Sequence, residues 1–255
     1  MKKTIVFGIL FANLFFGFAN NIIDSMNHLL QEGNTFYQEK KYDEAINCYL
    51  QIVENNYESA VLFYNIGNAY YKNENRPKAL LWYERALRLS PANDDIKHNI
   101  AFVNQKLTDR IEKMPELFIM RWWNKISSSL TGDNWGIVGI ACSVLLMLSL
   151  LGLLFIRRPF FRSSFFLLSF AVLIVGVFAI FFAQKEINRY QEQPEAIIMK
   201  TVINAKSAPN NSGSDLFVIH EGLKVKITDQ LNEWVEIKIP NGEKGWVKAY
   251  DLEVI

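Results

Sequence analysis

Two cysteines and three histidines are the side chains from which thiol or imidazole chemistry could be built, and their spacing argues against it. Cys48 and Cys142 fall in segments that a membrane boundary separates, as argued below, so a disulfide framework is excluded, and no CxxC or Cys/His spacing suits zinc. His28, His98 and His220 are scattered, without an HExxH or a cysteine nearby, and read as ordinary surface or boundary histidines. The acidic pairs Asp43-Glu44 and Asp94-Asp95 stand where helices begin, where negative charge offsets the positive end of the helix dipole. There is no G-x-S-x-G and no P-loop, and no nucleophile has a base in reach. Lys+Arg number 27 and Asp+Glu 26, a formal charge of +1, which leaves no global field to collect nucleic acid. The reading is a chain that is not an enzyme, with no cofactor, no metal and no nucleic-acid partner. Its chemistry is recognition.

Residues 1–19 open with Lys2 and Lys3, run through an apolar stretch to Phe18 and close on Gly17-Phe18-Ala19. That is the pattern of a secretory signal peptide cleaved after Ala19, and it sends Asn20 onward out of the cytoplasm. Residues 135–156 and 163–183 are charge-free runs, each long enough at ~1.5 Å per residue to cross ~30 Å of hydrocarbon. The turn between them, 157–162, carries Arg157, Arg158 and Arg162 and no acid, so the positive-inside rule holds it in the cytoplasm. Leader and turn agree: the expected location is a bacterial inner membrane crossed twice, with both soluble parts periplasmic. Cys142, Ser143, Ser149 and Gly152 are small residues in the first run, read as ordinary lipid-facing or hairpin-packing positions. Residues 114–134 hold Trp122 and Trp123 among apolar residues beside Arg121 and Lys125; this segment either lies in the membrane interface or packs on the preceding helices.

Between leader and membrane, residues 20–113, the sequence repeats itself. Gly33 recurs as Gly67, Phe36 as Tyr70, Ala45 as Ala79 and Tyr49 as Tyr83, each at an offset of 34. The second copy adds Ala86 and Pro91. Antiparallel helices approach closely only where side chains are small, which the glycines and alanines supply while the aromatics fill the wedge beside them. The pattern resembles the tetratricopeptide repeat. Asn93-Asp94-Asp95 then caps a further helix, expected to run to about Lys113 and to close the array. The resemblance implies a binding surface: a groove lined by Asn34, Tyr37, Asn65, Asn68 and Tyr71 for a partner helix or extended peptide. Asn34 and Asn65 match asparagines that some family members use to hold a C-terminal carboxylate, but the basic residues that complete such a clamp are missing.

After a linker at 184–194, residues 195–255 turn to short alternating runs. Leu223, Val225 and Ile227 alternate with polar residues, as do Val235, Ile237 and Ile239, and Asn241-Gly242 makes a tight hairpin turn. With Glu221-Gly222, Trp234-Val235 and Gly245-Trp246-Val247, this small all-β domain resembles a bacterial SH3 domain. Trp234 and Trp246 are its candidate ligand contacts. Alternation puts Trp234 on the face opposite Val235, where it either contacts ligand or, the preferred reading, lies across polar stems and helps close the barrel.

The fold class is therefore multidomain: an all-α repeat array, a two-helix transmembrane hairpin and a C-terminal SH3-like barrel. In that order the parts resemble BatE-like proteins of the Bacteroides aerotolerance (Bat) operon, with the Ala86–Pro91 region and Pro115-Glu116-Leu117-Phe118 among the residues that carry the likeness. The resemblance implies a scaffold that works with von Willebrand A-domain proteins and a MoxR-type ATPase in stress tolerance. The alternative is a peptidoglycan-binding adaptor acting through the SH3-like domain.

Overall fold

A computed structural model describes residues 24–109, 111, 117–155, 158–192 and 194–255. The signal peptide at 1–19, the approach to the membrane at 114–116 and Arg157 lie outside the described residues. The chain divides between Ala86 and Leu87 into two compact units.

The first unit is helical: α1 (24–38), α2 (Tyr42–Glu54), α3 (Ala60–Lys72) and most of α4 (Arg76–Leu89). The 34-residue period of the sequence reappears in the backbone. Lys40 (φ 62°) and Glu74 (φ 61°) both take the left-handed conformation just after α1 and α3. Around them Lys41 N–H donates to Phe36 O (2.9 Å) and Asn75 N–H to Tyr70 O (2.9 Å), the paired bonds by which a helix end satisfies its last carbonyls. Ser59 caps α3, its Oγ accepting from Leu62 N–H at 3.1 Å. Ala45, Tyr49, Ile66, Ala79 and Tyr83 are buried between the helices.

The second unit begins with the end of α4 and continues through α5 (Asp94–Asn104), capped by Asn93. The helix stops at Asn104, short of the expected Lys113, and Leu107, Asp109 and Ile111 pass to the β domain instead. α6 (Phe118–Ser127) lies against α8, with the Trp123 ring 4.9 Å from Phe182 and Lys185 Nζ donating to Asn124 Oδ1 (2.9 Å) and Ser127 Oγ (3.1 Å). Its Phe118, Ile119, Met120 and Trp122 stay exposed.

α7 (Gly132–Phe155) and α8 (Pro159–Glu192) form an antiparallel hairpin and are long and apolar enough to span a membrane. Close approach rests on small residues. A Cβ on Gly152 would meet the Phe165 ring at 2.5 Å, and one on Gly176 would meet Cys142 Cβ at 3.2 Å. Ser149 and Ser169, both buried, share a hydrogen bond of 2.7 Å. Ser143 stays exposed and bonds its own helix at Gly139 O. Leu148, Phe166, Phe170 and Val177 are among the large apolar side chains that point away from the seam. The linker expected at 184–194 is helical as far as Glu192, because α8 continues past the apolar run to receive α6.

The remaining chain is a seven-stranded antiparallel sheet in the order β3-β2-β6-β5-β4-β1-β7. Its strands are β1 (Glu195–Ile198), β2 (Val202–Lys206), β3 (Asp215–His220), β4 (Lys224–Leu231), β5 (Trp234–Lys238), β6 (Lys244–Lys248) and β7 (Leu252–Val254), with a 3-10 turn at Ala249–Asp251. Val225, Val235, Ile237, Ile239 and Val247 share one core with Ile198, Ile203 and Ile219, as the alternating pattern requires. Gly242 (φ 98°) closes the β5–β6 hairpin. The architecture is thus a helical array, two long apolar helices and an antiparallel β domain.

Candidate functional site

The helical unit builds its surface from local pieces. Neither Gly33 nor Gly67 has room for a side chain: a Cβ would lie 2.6 Å from the Tyr49 ring in one case and 2.6 Å from the Tyr83 ring in the other. Each tyrosine that lies over a glycine then donates its hydroxyl to the residue following that glycine, Tyr49 to Asn34 Oδ1 at 2.8 Å and Tyr83 to Asn68 Oδ1 at 2.7 Å. Both bonds span 15 residues. Asn34 and Asn68, expected as groove residues, therefore have an internal task as well: they satisfy two phenols that burial would otherwise leave wanting. Burial, then the neighbouring Tyr37 and Cys48, push the Tyr49 phenol up to about 12.

Asn65 is brought to Asn34, with Nδ2 3.5 Å from Asn34 Oδ1, so an amide from α1 meets one from α3. Tyr37 is half-buried beside them and packs edge-on to Tyr42 with centroids 5.5 Å apart; burial, then Tyr42 and Tyr64, raise its pKa. Tyr64 in turn lies 5.7 Å from Tyr83. Tyr71 is half-buried in the last turn of α3. Amides and phenols thus alternate along α1 and α3, with Asn34 and Asn65 in contact. The Cys48 thiol is buried, and that burial, then Glu32, raises its pKa, which keeps it a poor nucleophile. Among the described residues no group of three His, Cys, Asp or Glu is placed to hold a metal ion.

The β domain carries a cleft of ≈ 470 Å³ lined by Lys200, Asn204, Lys206, Trp234, Lys248 and Tyr250 with their neighbours. Trp234 is only 7% exposed, and Lys248 stretches across it with Nζ 4.4 Å from the ring centroid and 2.6 Å from Glu233 Oε1. The indole is thus more floor than exposed contact. Trp246, half-buried between Glu236 and Lys206 on the neighbouring strands, does not line the cleft. The exposed aromatic at the cleft is Tyr250, at 72%, which the sequence reading missed because it sits in a 3-10 turn outside any alternating run. Lys200 pairs with buried Asp251 at 3.4 Å, and Lys206 pairs with Asp215 at 2.6 Å, holding the Asp215 carboxyl below its usual range.

Residues 30–94 match the family model described as tetratricopeptide repeat, and residues 201–253 the one described as bacterial SH3 domain. The chain joins a tetratricopeptide repeat region to a bacterial SH3 domain. No curated protein matches the chain. A solved structure titled as the first TPR of Spaghetti (RPAP3) bound to the HSP90 peptide SRMEEVD is 22% identical, covers 34% of this chain and 95% of its own, with a TM-score of 0.22. Tetratricopeptide repeats and SH3 domains are interaction modules, and together with two helices able to cross a membrane they make a protein-interaction adaptor.

Proposed function

We propose that the protein is a non-enzymatic scaffold of the bacterial inner membrane that recruits a protein partner to the surface formed by Asn34, Tyr37, Asn65, Asn68 and Tyr71, with the α7–α8 hairpin as anchor and the SH3 domain as a second contact. The observation that carries the reading is the meeting of α1 and α3 amides at Asn34 and Asn65 beside half-exposed phenols, a donor-and-acceptor surface with no catalytic group on it. Two modules tied to one bilayer act at high effective concentration, so weak single contacts suffice.

The orientation is periplasmic. Arg158 and Arg162 are exposed at the bend, where the positive-inside rule favours the cytoplasm, and Asp109, before the first span, bonds His220, after the second, which fits an even number of crossings. By resemblance, the assembly is a Bat-type stress or aerotolerance complex with von Willebrand A-domain proteins and a MoxR-type ATPase. Photo-crosslinking from Tyr37 and Tyr71 in whole cells is the test: a defined protein adduct lost on Asn65→Ala is expected, and no adduct from either position ends the reading. Alkaline phosphatase fused after Ile255 should be active, and a silent fusion overturns the orientation.

The cleft beside Tyr250 favours a second reading, peptidoglycan binding by the SH3 domain. Retention on purified sacculi that Tyr250→Ala abolishes supports it; equal retention of both proteins counts against it. Tyr250 is the better probe than Trp234, whose buried ring also supports the fold.

A further inference from the structure

The SH3 domain is not made of residues 195–255 alone. Leu107 and Asp109, on the far side of the hairpin in sequence, reach the turn between β3 and β4, and Ile111 reaches the core of the barrel. Asp109 is the centre: its Oδ2 accepts the His220 backbone N–H at 2.6 Å and its Oδ1 lies 2.8 Å from His220 Nδ1. The backbone N–H and the imidazole of one residue thus both face the same carboxylate. Leu107 sits on Gly222, where a Cβ would meet its Cδ2 at 2.5 Å, and Gly222 also holds φ at +84°. The bare glycine therefore serves both the turn and the seat for the leucine. Ile111, two residues beyond Asp109, packs against the hydrophobic core of the barrel. The turn that receives Leu107 and Asp109 is itself fixed, Gly222 N–H donating to Ile198 O at 2.8 Å.

A carboxylate facing two nitrogens of one residue, with an aliphatic contact two residues to either side, is a side-chain pattern that a shaped surface can read. We propose that the β3–β4 turn of the SH3 domain is a peptide-binding site for segments of the form aliphatic-x-Asp-x-aliphatic, and that its occupant here is the chain's own Leu107, Asp109 and Ile111. The segment is an internal ligand. It is tethered through the membrane hairpin, so its effective concentration shields the site from free peptides of the same kind. A partner carrying that pattern, or anything that draws residues 107–111 away, would exchange with it.

The test uses the full-length protein in nanodiscs and a fluorescent peptide of residues 105–113. The triple variant Leu107→Ala, Asp109→Asn, Ile111→Ala should bind this peptide, and wild type should bind it at least about 10-fold more weakly because the site is filled. The same peptide with asparagine in place of the aspartate should lose about 10-fold or more toward the triple variant, as expected when a charge-assisted hydrogen bond is removed. Hydrogen exchange runs alongside: the His220 amide should exchange faster in the triple variant while Val235, Ile237 and Val247 keep their protection. Failure of the triple variant to bind overturns the proposal. So does loss of protection at those three core positions, which would make the segment a part of the barrel's fold and not a replaceable ligand.

Discussion

The repeat region and the SH3 domain are both interaction modules, and they are held together by opposite routes. In the repeats two contacts are short in sequence and made twice: glycine under tyrosine, and tyrosine hydroxyl on the asparagine after the glycine, the latter 15 residues apart in each copy. In the SH3 domain the decisive contacts are made once and join distant segments, such as Asp109 to His220 across 111 residues and the whole membrane hairpin. A duplicated local unit tolerates damage to one copy only if the other can hold, whereas a single long-range contact depends on two distant segments at once.

The comparison breaks most visibly at the glycines. Gly67→Leu drives a side chain into the buried Tyr83 ring and should cost on the order of 1–3 kcal/mol, read as a drop in the thermal midpoint of the helical signal. If the loss is negligible, the glycine–tyrosine contact does not fix the repeat. Next in size is the phenol. Tyr49→Phe removes the bond to Asn34 and should cost about 1 kcal/mol at neutral pH. Its pH dependence has a definite sign: the folded-state pKa is raised from 10.0 to about 12, so the stability it contributes is fully present below the lower value and lost as pH rises through the upper. Wild type should weaken over that alkaline interval and Tyr49→Phe should weaken less, as followed by denaturant melts at a series of pH values. The smallest effect belongs to the barrel. Lys248→Met removes a cation lying over Trp234 and should cost about 0.5–1 kcal/mol, with a change in indole fluorescence and little effect on the helices. A larger loss would mean that the cleft is as strictly built as the repeats.

Much of the site was legible where the chain repeats itself. The 34-residue offset marked Gly33, Gly67, Tyr49 and Tyr83 as repeat positions, and the alternating apolar residues placed Val235, Ile237 and Ile239 in one core. What the sequence concealed was the second duty of Asn34 and Asn68, since an asparagine that bonds a tyrosine looks the same on the page as one that awaits a partner. Tyr250 was hidden for a different reason: a 3-10 turn has no period to reveal which side its residues face.

The end of α5 shows the limit most plainly. Leu107 and Ile111 continue the spacing of Ile96, Ile100 and Val103, so periodicity alone extends the helix to about Lys113. The structure ends it at Asn104 and gives both residues to the barrel. Period, small-residue spacing, apolar run length and turn chemistry are properties of neighbours along the chain, and they settled the array, the two long apolar helices and the strands. The transfer of Leu107, Asp109 and Ile111 from a helix to a distant sheet was decided only by the tertiary structure, because hydrophobic burial has no direction along the chain and the bare Gly222, the His220 nitrogens and the core edge come together only once the sheet has formed.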